Sequence, residues 1–326
     1  MLKLALLLIT VTALNAQIIL DTDSGFFGDD GVALTMLLQS PRRADLLGIT
    51  VVSGNVWSRE GAGFMSRTAK LMGAPALPVL VGSEAPLVHT AGMRKNEANI
   101  GFAGAFDLPL NTTEPPRGGV EFLTRSIEAA PGRVTILAIG PLTNLAIALR
   151  LRPDLAGKIA GLVMMGGNVH VGGNASPAAE FNFWFDPEAA QIVLRSEIPN
   201  KVLFALDVCN KFHFKKDLFD QVVAVRTPIT ELYREDFGSR YPGFLKDPAA
   251  QGSLWDELAA AYLIDPKLVK QTESLWLDVD TTFGPNYGAV TQLDRALAPA
   301  ATPVKVVLDM DFERVVGIYR TALTAR

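Results

Sequence analysis

Four aspartates lie within ten residues near the start of the chain, directly after the short apolar run Ile18–Leu20. They are Asp21, Asp23, Asp29 and Asp30. Two of them could cap the helix predicted over Gly31–Gln39 and favour its dipole, but that role does not account for four acids in one turn. Carboxylates crowded into a partly buried loop repel one another unless a cation neutralises them. The pattern therefore predicts a metal site, and hard oxygen ligands suit calcium or magnesium.

The same loop fits a second chemistry, because an Asp-x-Asp after a first strand is typical of aspartyl-phosphate phosphatases. In that interpretation Asp21 attacks phosphorus and magnesium is bound. A later polar cluster favours a different ligand, because Asn174, Glu180 and Asn182 offer neutral donors and acceptors plus one acid. Such a set matches the hydroxyls of a sugar better than a phosphate, which would call for Lys or Arg.

Short apolar runs alternate with helical patterns along the chain, and strand-end loops carry compact polar motifs. The predicted strands are Ile18–Leu20, Leu47–Val52, Pro78–Val81, Val134–Ile139, Gly161–Met165 and Lys201–Leu206. This alternation predicts a single α/β domain around a mainly parallel, Rossmann-like open sheet with helices on both faces. Sheets of this kind bind their ligands outside the carboxyl ends of the strands, so we expect the active site there.

The C-terminal part of the chain is expected to depart from this alternation. Lys211–Ala260 is predicted to be helical with no strand of its own, and the helix Glu257–Ile264 follows the pair Trp255-Asp256. The β-rich stretches Leu275–Leu293 and Val304–Asp309 are predicted to add antiparallel strands at the sheet edge. The sequence has no internal repeat, so residues 17–326 are predicted to form one domain.

The first sixteen residues have the pattern of a secretory signal peptide. Lys3 is followed by the apolar run Leu4–Leu14 and by a small residue, Ala16, at the expected cleavage position. The alternative is a buried first strand. The run is shorter than the roughly 20 residues that span a bilayer. Residues 1–16 are therefore predicted to be removed, which makes the protein secreted or periplasmic.

Composition excludes several other classes of function. The 326 residues carry a formal net charge of −4 without a basic run, which disfavours nucleic acid as a partner. No segment is long and apolar enough for a membrane helix, so no membrane partner is expected. Cys209 is the only cysteine, and its apolar neighbours predict a buried thiol that neither forms an intrachain disulfide nor acts as a nucleophile. The three histidines lack the spacing of metal ligands.

Taken together, these motifs resemble the nucleoside hydrolase family, whose members cleave the N-glycosidic bond of ribonucleosides with water. The resemblance runs from about Ile18 to near the C-terminus. It is carried by the acidic first loop, Ser53-Gly54-Asn55, Gly140-Pro141-Leu142-Thr143-Asn144, Met165-Gly166-Gly167, the block from Asn174 to Asn182, and Trp255-Asp256. A phosphatase predicts none of the later motifs, so a small-molecule ribonucleoside is the expected substrate.

The resemblance implies one bound calcium ion. Its protein ligands would be the carboxylates of Asp23, Asp30 and Asp256 and the backbone carbonyl of Ile139, with ribose hydroxyls and a water completing the set. Asp23 would also be the general base that takes a proton from that water. Cleavage of a ribosyl bond builds positive charge on the sugar, which neighbouring carboxylates stabilise.

The resemblance also implies the contacts to the sugar. Asp29 would accept from the 2′-hydroxyl, Asn182 would meet the 2′/3′ edge, and Asn174 and Glu180 would hold the 5′ end. Three further residues would support or line the pocket: Asp21, Asn55 and Met165. Family members are usually dimers or tetramers, so a homo-oligomer is expected by analogy.

Two departures from the family pattern bear on the base. Phe26-Phe27-Gly28 makes the acidic loop two residues longer than the common Asp-x-Asp-x-Gly-x-Asp-Asp. Trp255 stands where many members have a His that is thought to protonate the leaving base, and purine-specific relatives carry Trp there. This favours purine ribosides, with the base stacked on Trp255 and a second aromatic residue. The candidates for that second residue are Phe26, Phe27, Trp57 and Phe102.

Two alternatives stay open. Trp255 could simply pack against the helix behind it. The protein could also be an exported nucleoside- or sugar-binding protein without turnover, because the family His is absent.

Overall fold

Short strands and helices alternate along the chain in the computed structural model, which describes residues 17–97, 103–108, 116–297 and 300–325. The strands are β1 (Gln17–Thr22), β2 (Leu46–Val51), β3 (Val79–Val81), β4 (Val134–Ala138), β5 (Gly161–Met165), β6 (Lys201–Phe204), β7 (His213–Lys215), β8 (Gln251–Ser253), β9 (Val269–Leu275), β10 (Leu277–Val279), β11 (Val290–Gln292) and β12 (Val304–Met310). The α-helices are α1 (Asp29–Leu38), α2 (Ser58–Leu71), α3 (Ala91–Arg94), α4 (Gly119–Ala129), α5 (Thr143–Leu151), α6 (Phe181–Phe185), α7 (Pro187–Leu194), α8 (Leu206–Cys209), α9 (Lys216–Val223), α10 (Pro228–Arg240), α11 (Pro242–Lys246), α12 (Asp256–Ile264) and α13 (Phe312–Thr324). Short 3-10 helices cover Pro41–Asp45, Gly104–Asp107, Pro153–Lys158, Pro266–Leu268 and Arg295–Leu297.

Eight of the described strands form one sheet in the order β3-β2-β1-β4-β5-β6-β12-β9. Neighbouring strands are parallel except for β12 and β9. β1 is an interior strand and pairs along Gln17–Asp21 with Val134–Ala138 of β4. The acidic loop therefore leaves the carboxyl end of an interior strand, between the loops that follow β2 and β4.

Helices cover both faces of the sheet, as the alternation of side chains along β1 shows. Ile18 and Leu20 pack in one apolar cluster with residues of α1, α12 and α13, whereas Ile19 packs in a second cluster with residues of α4, α5 and α7. Successive side chains of a strand point to opposite faces, so both faces of β1 are buried. The predicted fold class is confirmed: this is an α/β domain with a mainly parallel sheet.

The segment Lys211–Ala260 was predicted to contain no strand, and this prediction is wrong. β7 and β8 pair in antiparallel fashion, with His213 opposite Ser253 and Lys215 opposite Gln251. Each strand has three residues, and in β7 only Phe214 is buried. Such short, mostly exposed strands lack the apolar alternation that identifies a strand in a sequence.

The prediction of antiparallel edge strands from Leu275–Leu293 and Val304–Asp309 is partly wrong. β12 lies inside the sheet, parallel to β6, and the antiparallel edge strand is β9. β10 and β11 form a separate antiparallel pair. The sequence of β9 is mostly polar, as is usual for edge strands that must avoid pairing with another chain, so it gave no apolar signal.

Within the described residues, no helix is both long enough and apolar enough to cross a membrane. The predicted signal peptide, residues 1–16, lies outside the described residues. That prediction, and the domain boundary that depends on it, stay predictions.

Candidate active site

Asp21 anchors the acidic loop at the end of β1. Its Oδ1 accepts hydrogen bonds from Thr50 Oγ1 at 2.5 Å and from Asn144 Nδ2 at 2.7 Å. Asn144 also accepts from the Ser83 backbone N–H at 2.6 Å, so it joins the end of β1 and the loop after β3 to the start of α5. Burial raises the pKa of Asp21 to about 7, although both hydrogen bonds lower it. The supporting role of Asp21 stays a prediction.

Asp23 follows the end of the strand and is buried. Its Oδ2 accepts from the Asn55 backbone N–H at 2.7 Å, whereas its buried Oδ1 finds no hydrogen-bond partner among the described residues. Gly54 passes so close that a Cβ there would lie 2.0 Å from Asp23 Oδ2. The motif Ser53-Gly54-Asn55 thus lets the backbone approach the carboxylate. Burial, and secondarily the charge of Asp29, raise the pKa of Asp23 to about 8.

Asp29, Asp30 and Asp256 bring one carboxylate oxygen each to within 4.8 Å of one another. Asp29 and Asp30 open α1, and Asp256 opens α12, which packs against α1. Asp30 accepts a short hydrogen bond from Thr22 Oγ1. Burial first, and then the charges of neighbouring aspartates, raise the pKa of Asp30 and Asp256 well above the usual range.

This carboxylate group differs in one member from the predicted ligand set. The prediction joined Asp23 to Asp30 and Asp256, whereas the structure groups Asp29 with those two residues. Asp23 is nevertheless near enough for its charge to raise the pKa of both Asp30 and Asp256. Three converging carboxylates beside a buried oxygen that finds no partner in the described structure fit a hard divalent cation.

Glu180 organises the loop that faces the acidic cluster. As the N-cap of α6, its carboxylate accepts from the backbone N–H groups of Gly167 at 2.7 Å, Asn182 at 2.9 Å and Phe183 at 3.2 Å. The Asn174 Oδ1 accepts from the Phe181 N–H at 2.9 Å, which ties the preceding loop to the same helix. Burial raises the pKa of Glu180 to about 7 despite these donors.

Asn182 connects α6 to the strand ends. Its Nδ2 donates to the carbonyl oxygens of Ile139 at 3.1 Å and Met165 at 3.2 Å. The Ile139 carbonyl, predicted as a metal ligand, therefore already accepts one hydrogen bond. A carbonyl has two acceptor positions, so this contact leaves one for a ligand.

A cavity of about 560 Å³ collects most of the predicted site residues. Those that line it are Asp29, Asn55, Ile139, Met165, Asn174, Glu180, Asn182, Trp255 and Asp256. Asp21, Asp23 and Asp30 are buried behind this surface. The volume lies within the range of roughly 300–1,000 Å³ that is usual for small-molecule sites.

The cavity also shows which lining residues the sequence did not predict. Arg240 and Tyr241 follow one another at the end of α10, and no polar motif in that segment marks them. Phe181 and Ala175 lie within or beside the recognised Asn174–Asn182 block, but no role was predicted for them. Only the tertiary arrangement of α10 over the strand ends reveals Arg240 and Tyr241.

The longer acidic loop packs against α10. The Phe27 N–H donates to Asp236 Oδ2 at 3.2 Å, and its ring contacts Tyr233 with centroids 5.4 Å apart. The Phe26 ring lies 4.3 Å from the guanidinium carbon of Arg240 and contacts Tyr241. The two additional residues therefore attach α10 to the acidic loop.

Four aromatic residues had been proposed as a second wall for the base, and the structure separates them. Phe26 lines the cavity together with Trp255. Phe27 is fully buried in the core, and Trp57 contacts Phe106 while its Nε1 donates to the Leu108 carbonyl. Phe102 lies outside the described residues. Trp255 is half-buried and also packs against the main apolar cluster.

The open parallel sheet, the acids at its carboxyl edge and the cavity lined by Asn174, Glu180 and Asn182 together define a hydrolase-type site. The family model for inosine-uridine preferring nucleoside hydrolases matches residues 18–317, and the chain belongs to this nucleoside hydrolase family, whose members act on N-glycosyl bonds. The predicted family and enzyme class are thereby confirmed. The match also removes the phosphohydrolase alternative that relied on Asp21.

Several relatives are similar over nearly the whole chain. The pyrimidine-specific ribonucleoside hydrolase RihB of Escherichia coli (strain SE11) is 32% identical over 301 residues, which cover 91% of this chain and 94% of that protein. Among solved structures, a plant nucleoside hydrolase (PpNRh1) has a TM-score of 0.78 at 24% identity, covering 96% of this chain and 100% of its own. A purine-preferring ribonucleoside hydrolase from Gardnerella vaginalis has a TM-score of 0.73 at 25% identity, covering 94% and 98%.

Proposed function

We propose that this protein hydrolyses the N-glycosidic bond of ribonucleosides in a calcium-dependent reaction that releases free base and ribose. The observation that carries the proposal is the convergence of Asp29, Asp30 and Asp256 within 4.8 Å at a cavity that Asn174, Glu180 and Asn182 also line. The acids suit a cation and a developing positive charge on the sugar. The amides and Glu180 suit the hydroxyls of a ribose.

Calcium is proposed because the available ligands are hard oxygens and include several carboxylates. Asp23, Asp30, Asp256 and the Ile139 carbonyl would hold the ion. When bound, the ion supplies positive charge that lowers the pKa of a coordinated water and orients vicinal hydroxyls. Asp29 belongs to the same carboxylate group, but unlike Asp30 and Asp256 it is only half-buried, so we assign it to the 2′-hydroxyl, as the family resemblance implies.

Asp23 is proposed as the general base. The Asn55 N–H fixes its Oδ2, and its Oδ1 finds no partner within the described structure, so that oxygen can take a proton from the attacking water. Positive charge that develops on the ribose is stabilised by the neighbouring carboxylates. Asn182 would contact the 2′/3′ edge of the sugar, and Asn174 and Glu180 would hold the 5′ end.

We propose that the enzyme prefers purine ribosides as substrates, because Trp255 stands where purine-specific relatives carry Trp. Trp255, Phe26 and Tyr241 line one cavity and offer aromatic faces to a flat base. An indole cannot protonate a leaving base as an imidazole can, so stacking would have to make the base a better leaving group. The named relatives differ here, since RihB is described as pyrimidine-specific and the Gardnerella enzyme as purine-preferring.

The proposed setting is outside the cytoplasm, in the periplasm or secreted, after removal of residues 1–16, where millimolar calcium would fill even a weak site. A homodimer or homotetramer is proposed by analogy with the family. Mass spectrometry of the exported protein would detect cleavage after Ala16. Light scattering during size-exclusion chromatography would give the oligomer size.

The decisive experiment measures release of free base from inosine, adenosine, guanosine, uridine and 2′-deoxyinosine, with and without a calcium chelator. We expect chelator-sensitive turnover that calcium restores better than magnesium, with purine ribosides fastest and deoxyinosine slow because it lacks a contact to Asp29. Comparable hydrolysis of uridine would refute the purine preference alone. Binding of ribosides without turnover, in a folded and calcium-loaded protein, would instead support a binding protein.

A further inference from the structure

A second cavity of about 640 Å³ adjoins the candidate active site, and the proposed reaction does not use it. The two cavities share five lining residues: Phe26, Asp29, Arg240, Tyr241 and Trp255. Three of these are the aromatic residues that we assign to the base. The second cavity therefore begins at the side of the site where the base of a bound nucleoside would lie.

The additional residues of the acidic loop form part of the boundary between the two cavities. A Cβ on Gly28 would lie 2.7 Å from the Phe26 ring, so this ring folds back over a position that only glycine leaves free. On its other side the Phe26 ring meets Arg240 and Tyr241. The residues that line both cavities contribute side chains to this boundary, and the two cavities adjoin there.

Aromatic rings dominate the second cavity beyond this boundary. Phe214, Phe237 and Phe244 contact one another with centroid separations of 5.0 to 6.3 Å, and β8, which pairs with the strand of Phe214, also lines the space. Asp29 lies at the shared boundary, and the two other carboxylates each accept a backbone hydrogen bond: Glu257 Oε2 from the Trp255 N–H and Asp247 Oδ1 from the Ala249 N–H. The walls therefore suit an apolar, flat group better than a charged one.

We propose that the second cavity is a subsite for an aryl or alkyl substituent carried by the base of the nucleoside. This inference rests on the proposed function, because it takes the base to lie between Trp255, Phe26 and Tyr241. An unsubstituted base reaches only the shared boundary. A substituent on its exocyclic amine continues into the aromatic space and leaves the contacts to the ribose unchanged.

The test compares kcat/KM for two matched pairs of substrates, adenosine with N6-benzyladenosine and cytidine with N4-benzylcytidine. In the wild-type protein, at least one benzylated nucleoside is expected to be cleaved as well as its parent or better. Ala250 lines only the second cavity, so Ala250→Trp should lower the ratio of benzylated to parent substrate by roughly tenfold or more, as expected for loss of a buried ring. Ala249→Trp, at the exposed neighbouring position, is the matched control and should leave the ratio unchanged.

Calorimetric titration of the wild-type protein with adenine and N6-benzyladenine gives a readout that needs neither turnover nor a variant. Tighter binding of the benzylated base supports the subsite. If the parent ribosides are cleaved but both benzylated compounds react at least ten times more slowly, the subsite is overturned and the hydrolase function is left intact. If no riboside is cleaved, the proposed function fails, and equal or weaker binding of the benzylated base then overturns the subsite as well.

Discussion

Replacing Gly54 by alanine is expected to disable catalysis, because it displaces the carboxylate of Asp23, the proposed general base, while leaving that residue itself unchanged. The new Cβ would lie 2.0 Å from Asp23 Oδ2, so even a 3.0 Å separation requires a shift of about 1 Å, the difference of the two. A displacement of that size costs on the order of 100-fold in rate. The shift also strains the hydrogen bond from the Asn55 N–H to Asp23 Oδ2, which contributes about 1.5–3 kcal/mol when calcium keeps this carboxylate ionised. We therefore predict kcat down by about 100-fold and a free energy of unfolding lower by about 2 kcal/mol.

The assay is base release from inosine and uridine at saturating substrate, with urea unfolding measured on the same preparation. Gly63→Ala is the matched control, because a Cβ there meets nothing within 4 Å on the exposed side of α2. That variant should keep full activity and gain up to about 1 kcal/mol from better helix propensity. Asp23→Asn provides the benchmark for loss of the base. Wild-type kcat in a folded Gly54→Ala protein would refute the assignment of Asp23.

Three further predictions test separate parts of the structure. Calcium at a concentration of 100 times its Kd should stabilise the wild-type protein by about 2.7 kcal/mol and raise its Tm. Asp256→Asn should remove most of this rise in Tm, and an undiminished rise would exclude Asp256 as a ligand. Glu180→Gln should cost about 1–3 kcal/mol in urea unfolding and raise KM, because an amide oxygen cannot accept from all three N–H groups; unchanged stability would contradict this role. Burial lowers the pKa of Lys201 from its usual 10.5 to about 7, so between these pH values the unfolded chain binds one proton that the folded protein does not. The free energy of unfolding, relative to Lys201→Met, should therefore rise with pH across this window by up to about 1.4 kcal/mol per pH unit. If denaturation experiments show a difference that does not change with pH, Lys201 stays charged in the folded protein.

The sequence predicted the sheet and the acids well because both signals are local. The interior strands β1, β4 and β5 are short, mainly apolar runs buried on both faces, which is the pattern that a parallel interior strand requires. The motifs at the strand ends then had to meet at one edge, whatever the details of the loops. Nine of the predicted site residues accordingly line one cavity.

The parts that the sequence missed depend on long-range packing. β9 and the pair β7–β8 are stabilised by partners rather than by their own apolar residues, so no local pattern identifies them. Arg240 and Tyr241 reach the site because the longer acidic loop binds α10 through Phe27 and Asp236. The length of that loop was visible in the sequence, but its docking partner, more than two hundred residues later, was not.

The acids are held in position by donors that do not line the cavity. Thr50 and Asn144 donate to one oxygen of Asp21, and Thr22 donates to Asp30. Within the described residues, the buried oxygens Asp21 Oδ2 and Asp23 Oδ1 are left without a hydrogen bond. Burying such oxygens without a partner costs free energy, and a cation at the carboxylate group would recover it. The donors come from β1, β2 and α5, so substitution of Thr22, Thr50 or Asn144 should weaken cation binding even though none of them touches the ion.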